Sequence, residues 1–210
     1  YFEDDNGVTI TDLSGYADKF ENLASYKDNY QDKPSYEAAL KGLLGISVDY
    51  YVSSDLAGKE PGTIAVYSGL SFILGQNAFA DLDEALAVAM DNQVIYVAAG
   101  NYSKAASYKI TQNGLKIVGP NETVDPNMDN RNPEAVFTEV INIDANVCDV
   151  TIAGLCFTGN ARIVGSDEGG IKNLTVDYVV FDSQILEGNA ANGLIHLSAL
   201  LTAGNENLTV

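Results

Sequence analysis

A short phrase of alternating apolar and polar residues recurs along this chain. Its copies cover residues 113–117, 148–152, 172–176 and 206–210, and they lie between 24 and 35 residues apart. Alternation with a period of two is typical of a β-strand with one buried face. A unit of one to three short strands cannot bury that face alone, so such units must stack on one another. The pattern therefore predicts a repeat architecture.

Two of the units align without a gap, residues 147–160 on residues 171–184. Each has two apolar pairs separated by a short break, Ala153-Gly154 in one and Asp177-Tyr178 in the other, which predicts two strands that meet at a bend. Parallel stacking of such units predicts an all-β fold, a right-handed parallel β-helix. The alternative is an antiparallel sandwich, which would need more hairpin signals. The predicted interior comprises Leu115, Ile117, Val150, Ile152, Leu155, Phe157, Leu174, Val176, Phe181 and Leu208.

One amphipathic helix is predicted at about residues 81–90, ahead of the repeats. Its apolar residues recur with helical spacing, and Asp81 followed by Glu84 forms a capping box. We expect this helix to cover the open end of the stacked core, whose strand edges would otherwise pair with other chains. We divide the chain into a small mixed α/β segment, 1–61, and the β-helix with its capping helix, 62–210. Further strands are predicted near residues 49–53, 63–67 and 70–74.

The stretches 79–103, 114–137 and 147–160 together resemble secreted right-handed parallel β-helix proteins of the pectin-lyase-like superfamily, in particular bacterial surface and adhesin-type members. The opening part also resembles the start of pectin methylesterases. The resemblance covers residues 62–210 and implies the β-helix fold and an extracellular or cell-surface location. One fold of this kind hosts lyases, hydrolases, esterases and inert shafts.

Each of those enzyme classes depends on particular catalytic residues. Calcium-dependent lyase chemistry needs an arginine base, and the chain has two arginines: we expect Arg131 to pair with a nearby carboxylate and Arg162 to lie at the surface. The one histidine, His196, lies in a strand-like stretch without a Gly-His-Gly motif. We therefore expect a non-catalytic structural or adhesive module of a surface protein or fibre. The alternatives are a polysaccharide-active enzyme and a glycan-binding module without chemistry.

The charge of the chain restricts its partners. Its formal net charge is −18, from 29 acidic and 11 basic residues, so nucleic acid and anionic membrane surfaces would be repelled. No apolar run approaches the length of a membrane span, and we expect no membrane insertion. Tyrosines concentrated between residues 16 and 67 suit carbohydrate or protein contact, but half-buried strands use tyrosine equally.

A cation site is predicted at residues 125–129. Asp125, Asn127 and Asp129 place oxygen ligands at alternate positions, as in the first half of an EF-hand calcium loop. The glycine and the distant glutamate of that loop are missing, and clusters of Asp, Asn and Pro are also ordinary turn formers. Calcium is the candidate ion.

Strand parity makes further predictions about single side chains. It places Cys148 in the core and Cys156 on the outer surface, too poorly aligned to form a disulfide. Asp149, Asn173 and Asn207 share one repeat position and should form a ladder. Four glycosylation sequons begin at Asn101, Asn121, Asn173 and Asn207. Since the last phrase ends at Val210 in the middle of a unit, we expect a longer parent chain or end-to-end self-association.

Overall fold

The structure is a computed structural model that describes residues 48–104, 106–166, 169–183, 195–197 and 209–210. In chain order the strands of these residues are β1 (Tyr50–Val52), β2 (Ile64–Tyr67), β3 (Leu70–Ile73), β4 (Ala78–Phe79), β5 (Val94–Val97), β6 (Gly100–Tyr102), β7 (Tyr108–Ile110), β8 (Lys116–Val118), β9 (Ala135–Phe137), β10 (Ile141–Ile143), β11 (Thr151–Ala153), β12 (Cys156–Gly159), β13 (Ile163–Gly165), β14 (Thr175–Asp177), β15 (Val180–Ser183) and β16 (Ile195–Leu197). Helix α1 (Leu82–Val88) follows β4, and a short 3₁₀ turn (Ser54–Leu56) follows β1. The predicted all-β class is confirmed for these residues.

Three parallel sheets contain most of the strands. Sheet 1 has the order β14-β11-β8-β5-β1-β4, sheet 2 the order β15-β12-β9-β6, and sheet 3 the order β16-β13-β10-β7. From β5 onward the chain therefore visits sheets 1, 2 and 3 in turn, in a repeating cycle of three strands. The hairpin, β2 with β3, is antiparallel and forms a separate two-stranded sheet. The first strand of sheet 1, β1, precedes residue 62.

The recurring phrase occupies equivalent positions in sheet 1. Ile117 pairs with Ile152, and Ile152 pairs with Val176, so repeat positions stack in register and the inward positions form one apolar column. Eight of the ten residues predicted to be interior are buried, Leu115, Ile117, Val150, Ile152, Leu155, Phe157, Leu174 and Val176. Phe181 is partly buried and packs against the same core. Leu208 lies outside the described residues.

An aromatic column runs along the inner face of sheet 2. Tyr102, Phe137, Phe157 and Phe181 occupy paired positions on successive strands. Their ring centroids are 5.1, 5.9 and 5.1 Å apart in that order, within the range of favourable aromatic contacts. The hydroxyl of Tyr102 donates to the carbonyl of Ala98 at 2.8 Å, which satisfies the one polar atom of the column.

The turn that leads into sheet 1 has the same left-handed backbone in each repeat. Asn92, Gly114, Asp149 and Asn173 have φ values of 63°, 66°, 61° and 54°. Gly, Asn and Asp are the residues that adopt this conformation most readily. The predicted polar ladder is confirmed for two members, since Asn173 Nδ2 donates to Asp149 Oδ1 at 2.6 Å. Asn207 lies outside the described residues.

Helix α1 begins at Leu82, within the predicted range. Asp81 is its N-cap and accepts from the Leu82 amide at 2.6 Å, while Glu84 accepts from the Ala80 amide at 3.2 Å. The apolar face is buried, with Leu82, Ala85 and Leu86 at its centre. The helix packs against β1, β4 and β7, and β4 and β7 are the edge strands of sheets 1 and 3.

Candidate functional site

A groove of about 340 Å³ lies beside the bend between β14 and β15. Its lining includes apolar side chains and two carboxylates, Asp125 from the loop between β8 and β9 and Asp177 at the end of β14. The other lining residues are Pro126, Val176, Tyr178, Val179, Phe181 and Val210. Among the described parts of the chain, this groove combines aromatic, apolar and acidic groups in one concave surface, which is the composition of many ligand sites.

The bend at Tyr178, between β14 and β15, differs from the equivalent bend at Gly154, between β11 and β12. Since Ala153 pairs with Asp177, Tyr178 takes the position of Gly154, and both have a left-handed backbone, with φ of 52° and 66°. A Cβ atom at Gly154 would overlap the backbone of Asn121 and Glu122. The loop therefore packs closely on Gly154 but leaves Tyr178 room for a side chain, and the groove forms there.

The loop from residue 119 to residue 134 is fixed by buried polar contacts. Asn121 is fully buried, and its side chain donates to the carbonyl of Asn132 at 3.0 Å and accepts from the Asn132 amide at 2.8 Å. Buried amide groups cost free energy unless they are paired, so this pair defines one loop conformation. The loop consequently places Asp125 and Pro126 at the groove.

Arg131 joins this loop to the bend. Its Nε donates to Glu134 Oε1 at 2.6 Å, its Nη1 donates to the carbonyl of Val124 at 2.6 Å, and its Nη2 approaches the carbonyl of Tyr178 at 3.3 Å. The predicted pairing of Arg131 with a carboxylate is confirmed. All three nitrogens of the guanidinium are engaged in holding the structure together.

The predicted calcium ligands are partly brought together. Asp125 Oδ1 accepts from both the backbone amide and the side-chain amide of Asn127, at 2.8 and 3.0 Å, which is the geometry of an Asx turn. Asp129 is exposed. Among the described residues no group of three His, Cys, Asp or Glu side chains is arranged to hold a metal ion. The structure adds Asp177 near Asp125, a neighbour that sequence spacing could not reveal.

The two cysteines differ from their predicted environments. Cys156, predicted to be a surface thiol, is buried on β12, and Glu134, Asp182 and Arg131 interact electrostatically with its thiol. Burial raises the pKa of the Cys156 thiol. Cys148 is half-buried at the turn rather than in the core, and its thiol donates to Asn113 Oδ1 at 3.3 Å. The thiols are not bonded to each other.

Two further residues were considered for catalysis, Arg162 and His196. Arg162 is half-buried rather than at the surface, and it immediately precedes β13. His196 lies in β16, where it pairs with Val164 of β13. Arg162 is not among the described residues that line the groove.

Tyrosines attach the hairpin to the outer face of sheet 1. The rings of Tyr67 and Tyr96 stack with centroids 3.9 Å apart, and Tyr51 lies 5.6 Å from Phe72 and 5.9 Å from Tyr67. Burial raises the pKa of Tyr96, and the nearby Tyr67 hydroxyl raises it further. Because these rings face one another, the three tyrosines serve packing between the hairpin and the sheet.

Comparison with family models, curated proteins and solved structures found no match to this chain. Among the described residues, no helix has the length and apolar character needed to cross a membrane. The function is therefore inferred from the residues and geometry of this molecule.

Proposed function

We propose that this chain is a non-catalytic structural or adhesive module of an extracellular surface protein or fibre, built as a right-handed parallel β-helix of the pectin-lyase-like kind. The observation that carries the proposal is the repeating cycle of strands through three parallel sheets, with equivalent residues stacked in register. The proposal is supported because a β-helix would place its strands in this order, with one strand added to each of three sheets in every cycle. Right-handedness follows from the general preference of parallel crossover connections.

The engagement of polar residues in structural contacts supports a non-catalytic role. Arg131 holds the loop and the bend, Asp149 accepts from the next repeat, and Tyr108 donates to the N-cap Asp81 at 2.9 Å. A stacked core with polar ladders at its turns suits a stiff extracellular element. The acidic surface would keep such an element hydrated.

Enzyme assays test this proposal. We expect the full chain to show no lyase, hydrolase or esterase turnover on uronate polysaccharides, with or without calcium. Asp177→Asn is the matched variant, because it replaces an exposed carboxylate of the groove with an uncharged side chain of the same size. Turnover by the unmodified chain that disappears in Asp177→Asn would overturn the non-catalytic role.

A glycan-binding module is the second candidate, and the groove favours it. Sugar rings pack their apolar faces on aromatic side chains, and Tyr178 and Phe181 line the groove together with the acceptors Asp125 and Asp177. A neutral or amine-bearing sugar suits these carboxylates better than an acidic one does. Calcium held by Asp125, Asn127 and Asp129 would lie beside the same groove, because Asp125 is one of its lining residues.

Titration of neutral and amine-bearing oligosaccharides, followed by NMR, tests the glycan site. Binding should weaken by about tenfold in Tyr178→Ala, since one stacked ring is worth about 1.5 kcal/mol, and should be unchanged in Thr151→Ala on another part of sheet 1. Equal affinities for the two variants would exclude the groove as the sugar-binding site.

Melting curves with and without millimolar calcium test whether calcium binds. Binding should raise the melting temperature by linkage, and an Asp125→Asn variant should lose that rise.

A further inference from the structure

Three tyrosines from different strands meet on the outer face of sheet 1. Tyr67 is the last residue of β2, Tyr51 lies in β1 and Tyr96 lies in β5. The rings of Tyr67 and Tyr96 have centroids 3.9 Å apart and planes 24° from parallel. Tyr51 lies farther away, 5.9 Å from Tyr67 and 6.1 Å from Tyr96. One pair of phenol rings is therefore stacked in contact, with a third ring beside it.

The hydroxyl groups of the stacked pair also meet. Those of Tyr67 and Tyr96 are hydrogen-bonded to each other. The ring carbons next to each hydroxyl, the Cε atoms, therefore lie at the same end of the stack. Glu122, an exposed residue, acts electrostatically on both hydroxyls, and a carboxylate so placed can pass a phenolic proton to water. Both tyrosines are half-buried, so a small oxidant can reach the pair.

Two other tyrosines of the described chain contact phenylalanine instead. Tyr102 and Tyr108 are buried, and the ring of each packs on Phe137 with centroids 5.1 and 5.3 Å apart. Phenylalanine has no hydroxyl and does not share in phenol chemistry. The stacked pair of Tyr67 and Tyr96 is therefore distinguished from these by both its accessibility and its partner.

Contact between two phenols has a chemical consequence. Loss of one electron and the hydroxyl proton converts tyrosine into a phenoxyl radical, whose unpaired electron is shared between the oxygen and the ring carbons, including Cε. Two such radicals combine through a bond between their Cε atoms, and the product is dityrosine. Because the two rings already touch in the fold, their combination would be intramolecular and would need no diffusional encounter.

We propose that Tyr67 and Tyr96 form a site of oxidative cross-linking, at which hydrogen peroxide and a haem peroxidase join the two side chains as dityrosine. Each phenol gives up one electron and its hydroxyl proton, and a Cε–Cε bond forms between the two radicals. Each bonded Cε then loses its proton while the oxygen of the same ring takes one up, which restores both hydroxyls. Overall two Cε–H bonds are replaced by one C–C bond, and one molecule of peroxide is reduced to two of water.

The new bond would fix the hairpin to sheet 1. A two-stranded hairpin is only marginally stable by itself, and ring contacts hold β2 and β3 on the sheet. Dityrosine would close the loop from Tyr67 to Tyr96, and a covalent link across such a span restricts the unfolded chain as a disulfide does. The cross-link does not rest on the adhesive role proposed above, since it requires the folded pair and an oxidant.

Oxidation of the full chain with hydrogen peroxide and a haem peroxidase, followed by denaturation and digestion at glutamate, tests the proposal. Cleavage at glutamate places Tyr67 in fragment 61–84 and Tyr96 in fragment 85–122. Mass spectrometry of the monomer fraction should show these two fragments joined, with the loss of two hydrogen atoms. Neither fragment contains cysteine, so a disulfide cannot join them, and the chain has no tryptophan to obscure dityrosine fluorescence.

Variants assign the bond to its residues. Tyr67→Phe and Tyr96→Phe should each abolish the joined fragment, because phenylalanine cannot form a phenoxyl radical. Tyr51→Phe is the matched control: it removes the third hydroxyl of the cluster but leaves the stacked pair, so the joined fragment should persist. Circular dichroism before oxidation verifies that each variant keeps the fold.

Fragments that remain separate in the oxidised monomer of the unmodified chain would overturn the proposal, whatever the variants do. A joined fragment that persists in Tyr96→Phe would also overturn it, because the bond would then involve another tyrosine of fragment 85–122. The same holds if fragment 61–84 is joined to fragment 38–60, which contains Tyr51, in place of fragment 85–122.

Discussion

At the scale of single residues, the backbone conformation and the distance to neighbouring atoms determine which side chain each repeat position can accommodate. Gly154 and Gly159 have nearly the same left-handed φ, 66° and 64°, but differ in surroundings. A Cβ atom at Gly154 would overlap the loop backbone, whereas a Cβ atom at Gly159 would have no neighbour within 4 Å. The two glycines therefore separate the cost of conformation from the cost of a clash.

Replacing each glycine by alanine measures both costs. Gly159→Ala should lower the free energy of unfolding by about 1 to 2 kcal/mol, the cost of a left-handed backbone with a side chain. Gly154→Ala should lower it by about 2 to 5 kcal/mol, because the overlap with Asn121 and Glu122 is added. Urea denaturation of both variants makes the comparison, and equal losses would show that the loop does not pack on Gly154.

Predictions about single residues were confirmed where two residues occupy the same position in neighbouring repeats. The Asp149 and Asn173 contact follows from their shared position, and the Asn173 amide holds the pKa of Asp149 below its ordinary value. The burial of Cys156 could not be predicted in the same way. Strand parity indicates the face of the sheet on which its side chain lies, but the burial of that face depends on segments outside the repeat phrase, and the thiol interacts electrostatically with Arg131 and Glu134 of the loop before β9.

At the scale of elements, the loop between β8 and β9 depends on Arg131. Its guanidinium binds Glu134 and the carbonyls of Val124 and Tyr178, and the side chain is only 10 % exposed. Removing it would leave these acceptors without their donor. The groove beside Tyr178 should lose its shape as a result.

Arg131→Gln should lower the free energy of unfolding by about 1 to 3 kcal/mol, the cost of buried acceptors left unpaired. Lys109→Gln is the control: Lys109 pairs with Asp144 at 2.9 Å, but its side chain is 62 % exposed, and such pairs contribute about 0 to 1 kcal/mol. Thermal unfolding of the two variants gives the comparison. A larger loss in Lys109→Gln would contradict the role assigned to Arg131.

The elements themselves were largely predictable, and their long-range packing was not. Periodicity and the capping residues predicted helix α1, and apolar alternation predicted strands at β1, β2 and β3 close to their observed bounds. The antiparallel turn at Ser68-Gly69, where both residues have positive φ, is a local feature that a Ser-Gly pair signals only weakly. Contact between Tyr67 and Tyr96 joins residues 29 positions apart, and no pattern within either strand indicates it.

At the scale of the whole molecule, buried tyrosines couple stability to alkaline pH. Burial raises the pKa values of Tyr67, Tyr96, Tyr102 and Tyr108 above the ordinary value. The folded protein therefore holds these phenolic protons more tightly than the unfolded chain does. Their stabilising contribution is complete below the unfolded pKa of about 10 and is lost as pH rises above it.

We expect cooperative unfolding in alkaline solution. Tyrosinate absorbance should rise in a separate step at the pH of unfolding, above the pH at which exposed tyrosines ionise. In urea the same tyrosines should titrate together near pH 10. Tyr108→Phe removes one of the buried phenols and its hydrogen bond to Asp81. The loss of unfolding free energy between neutral and alkaline pH should therefore be smaller in this variant than in the unmodified chain. Smooth titration of all tyrosines near pH 10 in the folded protein would contradict their burial.

The left-handed turn shared by Asn92, Gly114, Asp149 and Asn173 bears on how such a chain can change in evolution. Every repeat enters sheet 1 through the same backbone conformation, and its strand pairs in register with the strand of the next repeat. A complete repeat can therefore be duplicated or deleted while the neighbouring repeats keep equivalent contacts. Loops between strands can lengthen independently, as the unequal spacing of the phrases records. Each added repeat of three strands would extend each of the three sheets by one strand spacing, about 4.7 to 4.9 Å.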